Sequence, residues 1–464
     1  MKARRLTGFA ATHEYVRFFF DPVGSICRLY ARHGPIMELG PVAFGVPPKP
    51  LVFAIGPDYN RQLLSDTVAF RPTGMLRPGP RNSAQRRVRF GLTRMTGPQH
   101  RQQRQLVMPP FQKKAVQSYR DLIVSIAADT ILKQWQAGER RDIYEEMRLL
   151  MLRIASAVLF SRELPEAFPI GRLIEEWIVM NFSTGVWSCP VNVPGTPYRG
   201  MLRQAERIEQ AILALIAKRR AMPGERTDVL SLLMEARYPQ GGGMTDAELV
   251  GQTAILFLAS FETSTSALTW TLFLLAQHPA VANELLDELE TVLGGNPPSN
   301  EDLTRLPFLQ CVIKESMRIL PPVPYTLRVT QKALSLGPLA LPPGTNVVCS
   351  HYLTHHLPEL YPEPERFLPE RWRTIDPDQY EYLPFSAGPR MCIGTIFATQ
   401  SLKILLAMML QKFRFTVVPG TRIDRISRIT MDPRAGLPMM ISANDRKFSA
   451  SEVTGQIHEM VSFP

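Results

Sequence analysis

The ten residues Phe385–Gly394, Phe-Ser-Ala-Gly-Pro-Arg-Met-Cys-Ile-Gly, carry the strongest chemical signal in the chain. One cysteine, Cys392, sits in a Gly-rich turn just ahead of an amphipathic helical stretch, with an aromatic residue and an arginine close by. Amide N–H groups at a helix start lower a thiol's pKa and stabilise the thiolate. A buried thiolate in such a turn can be the axial ligand of a haem iron. Alone, one cysteine among five would read as a small buried hydrophobe. The full Phe-x-x-Gly-x-Arg-x-Cys-x-Gly spacing reverses that reading.

A second chemical pair stands on a long helix. In Gly241-Gly-Gly-Met-Thr-Asp-Ala-Glu248, Thr245 can cap a helix start and Glu248 completes a capping box. The pattern runs on to Gln277, where His278-Pro279 stops it. That predicts about thirty residues, or roughly 45 Å, enough to cross a whole domain. Between Leu249 and Ala276 the only charge is Glu262. Length and low charge would also fit a membrane span. The dense hydroxyl run Thr263, Ser264, Thr265, Ser266, Thr269 and Thr271 favours a buried central helix instead. An unpaired buried carboxylate is costly, so Glu262 needs a partner, water or a raised pKa.

With these residues the chain resembles the cytochrome P450 family. The resemblance implies that Cys392 is the proximal ligand to the iron of haem b, that Phe385 packs near it and that Arg390 meets a haem propionate. Gly394 belongs to the same cofactor-binding loop. The stretch Ala259-Ser-Phe-Glu-Thr-Ser264 is similar to the family's oxygen-activation motif. By position, Thr263 would hold bound dioxygen and the water that protonates it, while Glu262 would relay protons from solvent. Cleaving the O–O bond heterolytically needs protons delivered to the distal oxygen, so an acid beside an alcohol makes chemical sense. The bland alternative has Thr263 bonded back to a helix carbonyl and Glu262 in a surface salt bridge. One departure is Ser260, where the family usually has glycine: its side chain should narrow the space beside the bound oxygen, and its hydroxyl can join the proton network.

Other resemblances follow in family order. Glu315 and Arg318, in Lys-Glu-Ser-Met-Arg, share a helix face at i, i+3. The later Glu363-Pro-Glu-Arg-Phe-Leu-Pro-Glu-Arg-Trp372 implies that Arg371 completes a buried triad with them, a scaffold support whose loss costs folding rather than chemistry. His100 and Arg104, at i, i+4 in Gly97-Pro-Gln-His-Arg-Gln-Gln-Arg, and Arg328 in Pro324-Tyr-Thr-Leu-Arg match propionate-binding positions; arginine's planar fork suits carboxylates. Gln400, where many members carry Glu, implies a packing difference only. The likeness covers about His100 to Ala398 and is weakest over the first seventy residues and between Glu163 and Gly243.

The fold implied is mainly α with small β-sheets, a single domain over residues 1–464. It would have a β-rich N-terminal part at about 30–70, a helical body at about 97–320 and the haem between the long central helix and the Cys-bearing loop. Composition agrees: 464 residues, 45% hydrophobic and 20% charged, suit a globular protein with a large core. The 41 prolines are scattered rather than gathered in a disordered tract. The odd number of widely spaced cysteines and the lack of a Cys-x-x-Cys pattern suggest a reduced compartment, hence the cytoplasm. Met-Lys-Ala-Arg-Arg-Leu begins like a signal peptide, but no adequate apolar run follows, and no anchor helix is expected.

A formal net charge of +11 admits nucleic acid, membrane or acidic protein as partner. The arginines cluster between Arg71 and Arg104 without a nucleic-acid module. They read either as a solvated basic surface or as propionate contacts and a docking face for an acidic electron donor. No Gly-x-Gly-x-x-Gly dinucleotide fingerprint occurs, so a separate ferredoxin or flavodoxin with its reductase is expected, and a monomer.

By family position, substrate-contacting regions fall at Met75–Leu92, Phe182–Trp187, Leu256–Thr263, Val323–Leu327 and Ala435–Met440. Their side chains Leu76, Phe90, Leu92, Phe182, Val186, Leu256, Ala259, Val323 and Leu437 are apolar. Each reads as core or as a pocket for a hydrophobic substrate such as a fatty acid, terpene or steroid. Arginines between Arg77 and Arg89 could anchor a substrate carboxylate. The function expected is insertion of one atom of dioxygen into such a substrate, as hydroxylation or epoxidation. A peroxygenase or isomerase on the same scaffold, or a non-enzymatic haem sensor, are the competing readings; the Glu262-Thr263 pair speaks against the first two.

Overall fold

The computed structural model describes residues 4–42, 50–74, 76–161, 167–222 and 227–464. Met75 and residues 43–49 of the N-terminal β-rich part lie outside the described residues. The central helix spans Asp246–Gln277, 32 residues and about 48 Å long. Its start is the expected capping box: the Glu248 amide donates to Thr245 Oγ1 at 3.3 Å, and the Thr245 amide donates to Glu248 Oε2 at 2.9 Å. It ends at His278, whose backbone leaves the helical region (φ −126°, ψ 76°) ahead of a proline.

Almost all side chains from Leu249 to Gln277 are buried, and the exceptions are Ile255, Ala259, Ser260, Glu262 and Thr263. Some buried hydroxyls bond back to their own helix, as where Thr269 donates to the Thr265 carbonyl at 2.8 Å and Thr271 to the Ala267 carbonyl at 2.7 Å, whereas those of Thr253 and Thr265 have no partner among the described residues. Protein packing therefore accounts for the apolar run, and no helix among the described residues is long and apolar enough to cross a membrane. Helix Ile143–Phe160 lies along the central helix, and Phe160 stacks on Phe257 with centroids 5.6 Å apart. Helices Ala167–Asn181 and Pro197–Ala221 add an outer layer, and Thr395–Lys412 packs on a further side.

Sheets form the flank. In the six-stranded sheet the order is Arg4–Thr7, Ile36–Val42, Leu51–Ala54, Asn346–Ser350, Tyr325–Thr330, Phe70–Pro72. The N-terminal strands thus pair with segments that follow the Glu-x-x-Arg helix Pro307–Ile319, and Arg328 is held in register between Val347 and Pro72. A separate hairpin, Arg425–Ser427 with Met431–Pro433, is pinned to the central helix. There the Met431 carbonyl accepts from Ser266 Oγ at 2.8 Å and from Trp270 Nε1 at 2.7 Å.

One close approach sets the opposite end of the central helix. A Cβ on Gly251 would lie 2.2 Å from the Phe90 carbonyl oxygen, and one on Gly91 would lie 2.6 Å from the Gly251 carbonyl. Backbone meets backbone here, so neither side can yield by a rotamer change. Gly251→Ala should therefore destabilise the protein by about 1–3 kcal/mol despite alanine's better helix propensity. Chemical denaturation would read this as a lower midpoint, and an unchanged midpoint would show that the loop moves aside freely.

Candidate active site

The Cys392 loop is built by turns that only particular residues allow. Gly388 has φ +70°, and a Cβ there would stand 2.6 Å from the Leu64 carbonyl oxygen; both facts require glycine. The Met391 amide donates to the Gly388 carbonyl, and the Cys392 amide closes the loop onto Phe385 O at 2.9 Å. Phe385 is half-buried against the main core. Gly394 caps helix Thr395–Lys412, and Thr395 Oγ1 donates to Cys392 O at 3.0 Å. Cys392 lies deep among protein atoms yet keeps accessible surface. Burial pushes its thiol up, while the Gly394 amide, Arg104 and Thr395 pull it down. The helix-start amide is present as expected, but burial outweighs it and holds the thiol above its ordinary value.

Three guanidinium cations and one imidazole gather near this loop. His100 and Arg104 come from helix Gly97–Val107, Arg328 from its strand and Arg390 from the loop itself. Each is felt by another: Arg390 and Arg104 act on His100, and Arg328 and Arg104 act on Arg390. Burial first, then these charges, holds His100 down at about 4 and Arg390 down at about 10. Arg390 donates to the Met95 carbonyl, but its Nε is buried without a partner. Buried Arg328 donates only to the Leu327 carbonyl, at 3.2 Å. Among the described residues none of the four has a carboxylate partner. Like charges collected in this way call for an anionic ligand.

Helix Gly97–Val107 is tied to the central helix by a link that sequence reasoning did not find. Gln252 Nε2 donates to Gln103 Oε1 at 3.0 Å, and Gln103 Nε2 donates to Glu248 Oε1 at 2.9 Å. Two glutamines so far apart in sequence carry no motif; only the packing pairs them.

The structural triad forms as expected and is larger than expected. Glu315 and Arg318 are fully buried, with two parallel bonds of 2.9 Å. Arg371 Nε donates to Glu315 Oε1 at 3.0 Å. Trp372 Nε1 and the Leu368 amide add bonds of 2.9 and 3.0 Å to the same carboxylate.

On the central helix, Thr263 Oγ1 donates to the Ala259 carbonyl at 3.0 Å, the bland geometry. Its lone pairs remain free to accept. Ser260 Oγ donates to Phe257 O at 2.8 Å, so its proton is committed to the helix rather than to a network. Glu262 makes no surface salt bridge. Burial, then Asp432 and Glu175, push it up to about 8, which answers the cost of its burial by protonation.

Of the apolar candidates, Ala259 and Phe90 are exposed, and Leu76, Phe182 and Val323 are half-buried. Leu92 and Leu256 are buried at 7% exposure, while Val186 and Leu437 have no accessible surface. Those last two pack in the main core, a placement that corrects their reading as pocket walls. Arg77 stacks over Trp187 and Arg87 pairs with Glu209, which leaves only Arg89 of that run with a buried unpartnered nitrogen. Gln400 packs by donating to Val116 O at 2.8 Å.

The family model described as Cytochrome P450 matches residues 20–437. The chain belongs to the cytochrome P450 family. Cyclooctat-9-en-7-ol 5-monooxygenase of Streptomyces melanosporofaciens is 31% identical over 84% of this chain and 84% of its own length. Pentalenene oxygenase of Streptomyces avermitilis is 28% identical over 86% of this chain and 88% of its own. The structure of a cyanobacterial P450, CYP120A1 with retinoic acid bound, superposes with TM-score 0.80 at 25% identity, covering 92% of this chain and 96% of that one.

As a P450 the protein is a haem-thiolate monooxygenase whose cofactor is haem b, and its mainly helical fold is the family's. The residues present fit that group: a free thiol with accessible surface in a glycine turn, beside guanidinium groups that lack carboxylate partners among the described residues. The triad generates a prediction of its own. Glu315→Gln should leave Arg318 buried and uncompensated, costing about 3–5 kcal/mol. The check is a denaturation curve together with the haem-to-protein ratio after purification; both should fall, and wild-type values would show the triad to be dispensable.

Proposed function

We propose that this P450 inserts one oxygen atom into a hydrophobic, terpenoid-class substrate, with electrons from a separate ferredoxin or flavodoxin and its reductase. The substrate class is supported by the names of its relatives and by the apolar candidates that keep accessible surface, Ala259, Phe90, Leu76, Phe182 and Val323. The donor is supported by the missing dinucleotide fingerprint and by a net charge of +11, which suits an acidic partner. Hydroxylation and epoxidation both lie within this reading.

Haem b, when bound, supplies the iron at which dioxygen is activated. In our assignment Cys392 gives the iron its thiolate, and His100, Arg104, Arg328 and Arg390 hold the propionates. Phe385 and Gly394 shape the turn around the sulfur. The three guanidinium charges of Arg104, Arg328 and Arg390 around the Cys392 loop are the observation that carries this assignment, because among the described residues none has a carboxylate partner, and neutral His100 adds a ring N–H donor beside them.

Thr263 orients water. Its hydroxyl proton is occupied by Ala259 O, so the oxygen can accept from a water and turn that water's remaining proton inward. Glu262 holds a proton at neutral pH and, when its side chain turns from the cleft toward the Thr263 face, releases it to that water. Glu315, Arg318 and Arg371 act only by holding the loop in place.

The deciding experiment is the carbon monoxide difference spectrum of the reduced protein. A strongly red-shifted Soret band is expected, and Cys392→Ser should abolish it; a histidine-type band in the wild type would overturn the assignment. Thr263→Ala should keep the band while product per reductant consumed falls about tenfold or more, the remainder appearing as peroxide. Turnover faster with hydrogen peroxide than with reductant and oxygen would favour the peroxygenase reading.

A further inference from the structure

A cleft of about 540 Å³ runs along the side of the central helix that carries Glu262. Arg428, Arg434 and Val179 are exposed at its rim, and buried Thr430 and Asp432 lie inside. Adjacent helix residues point about 100° apart, so Glu262 faces this cleft while Thr263 and Ala259 share a different face.

Thr430 Oγ1 stands 2.5 Å from Asp432 Oδ2 and 3.5 Å from Glu262 Oε2. A hydroxyl has one proton to donate. The shorter contact assigns that proton to Asp432, which leaves Thr430 as an acceptor toward Glu262. A carboxyl can donate to it only when protonated. The geometry thus orders the chain as Glu262 O–H to Thr430 O–H to an ionised Asp432. Asp432 is 7% exposed, and its Oδ1 has no partner.

We propose that Asp432, acting through Thr430, is a positioning residue that holds Glu262 in its protonated form facing the cleft. The inference rests on the proton-relay reading of Glu262 above. The charged groups around Glu262 act in both directions: Asp432 and Glu175 raise it and Arg148 lowers it, while Glu176, which also lines the cleft, is engaged by Gln204 Nε2 at 2.9 Å. Glu175, on helix Ala167–Asn181, adds a second negative neighbour, but its carboxylate is occupied by Arg148 at 2.6 Å. Arg148, which also binds Glu145 at 2.6 Å, is therefore largely neutralised. Tyr144 lies on the same helix as Arg148, and Arg428 and Arg434 belong to the hairpin region. Burial, then Asp432 and Glu175, raise Glu262 to about 8 against Arg148, while burial alone raises Asp432, to about 6, against the Thr430 and Ser266 hydroxyls and Arg428. At neutral pH the pair then carries one proton, on Glu262. When Glu262 passes that proton to the Thr263-bound water, its O–H bond breaks and one forms on that water; a solvent proton relayed through cleft water then re-forms the Glu262 O–H, and no electron moves in this step.

The test is an infrared pH titration of the protonated carboxyl band, assigned by its loss in Glu262→Gln, run beside the pH profile of coupling. In wild type both should fall as pH rises through about 8. Asp432→Asn removes the negative neighbour, and Thr430→Val removes the acceptor of the Glu262 proton. Each should move both midpoints down by about one unit. If Asp432→Asn does not fold, the nearly isosteric Thr430→Val still decides. Wild-type midpoints in the folded variants, with Glu262→Gln uncoupled, would overturn the role of Asp432 and leave the relay intact. Full coupling in Glu262→Gln would overturn the relay itself, and this inference with it.

Discussion

A single carboxylate, Glu315, organises the half of the molecule that presents Cys392. It accepts five hydrogen bonds, from Arg318 (two), Arg371, Trp372 and the Leu368 amide. A fully buried charge is tolerable only when its lone pairs are filled in this way. Arg318 passes the constraint on by donating to the His355 and Pro364 carbonyls, both at 2.8 Å. His355 Nε2 then accepts from the Leu383 amide at 2.7 Å, with its Nδ1 on Arg318 O. These partners require a neutral ring with its proton on Nδ1, and burial holds the ring's pKa well below its ordinary value. Leu383 lies two residues before Phe385, whose carbonyl closes the Cys392 loop. The sulfur is thus placed by a run of fixed bonds that begins at Glu315.

The central helix supplies the other rigid element, and it works as a partition. One face carries Ala259 and Thr263, and another carries Glu262 toward the cleft. Rigidity comes from both ends: Gly251 lets the Phe90 backbone press close, and Ser266 and Trp270 clamp the hairpin through one carbonyl. That clamp puts Thr430 and Asp432 beside Glu262. A hairpin held less firmly would let the two carboxylates separate.

What could be read from sequence follows from how far each signal extends along the chain. The capping box at Thr245 and the pre-proline stop at His278 are local, and the helix begins and ends where they stand. Glycine at 388 is legible because its turn demands it. Glu315, Arg318 and Arg371 are distant but each lies in a spaced pattern, whereas Trp372 sits inside the same pattern and its bond to Glu315 could not be read from it. The Gln103–Gln252 link and the Asp432–Thr430–Glu262 chain leave no pattern at all, since each depends on which surfaces pack together. Val186 and Leu437 show the converse limit: an apolar residue at a family position does not say which way it faces.

The position of Glu262 sets function against stability. Its ordinary pKa of 4.5 rises to about 8 in the folded protein. Between those values the unfolded chain releases a proton that the folded chain keeps, so folding weakens as pH rises across that window and levels off above it. A neutral residue there would remove this cost and, with it, the acid. Asp432 deepens the cost by standing beside Glu262 with a negative charge. Neither carboxylate is needed to close the hairpin, because the Met431 carbonyl already does so through Ser266 and Trp270. Two acids buried against each other, where packing asks for neither, are best accounted for by the proton they hold between them.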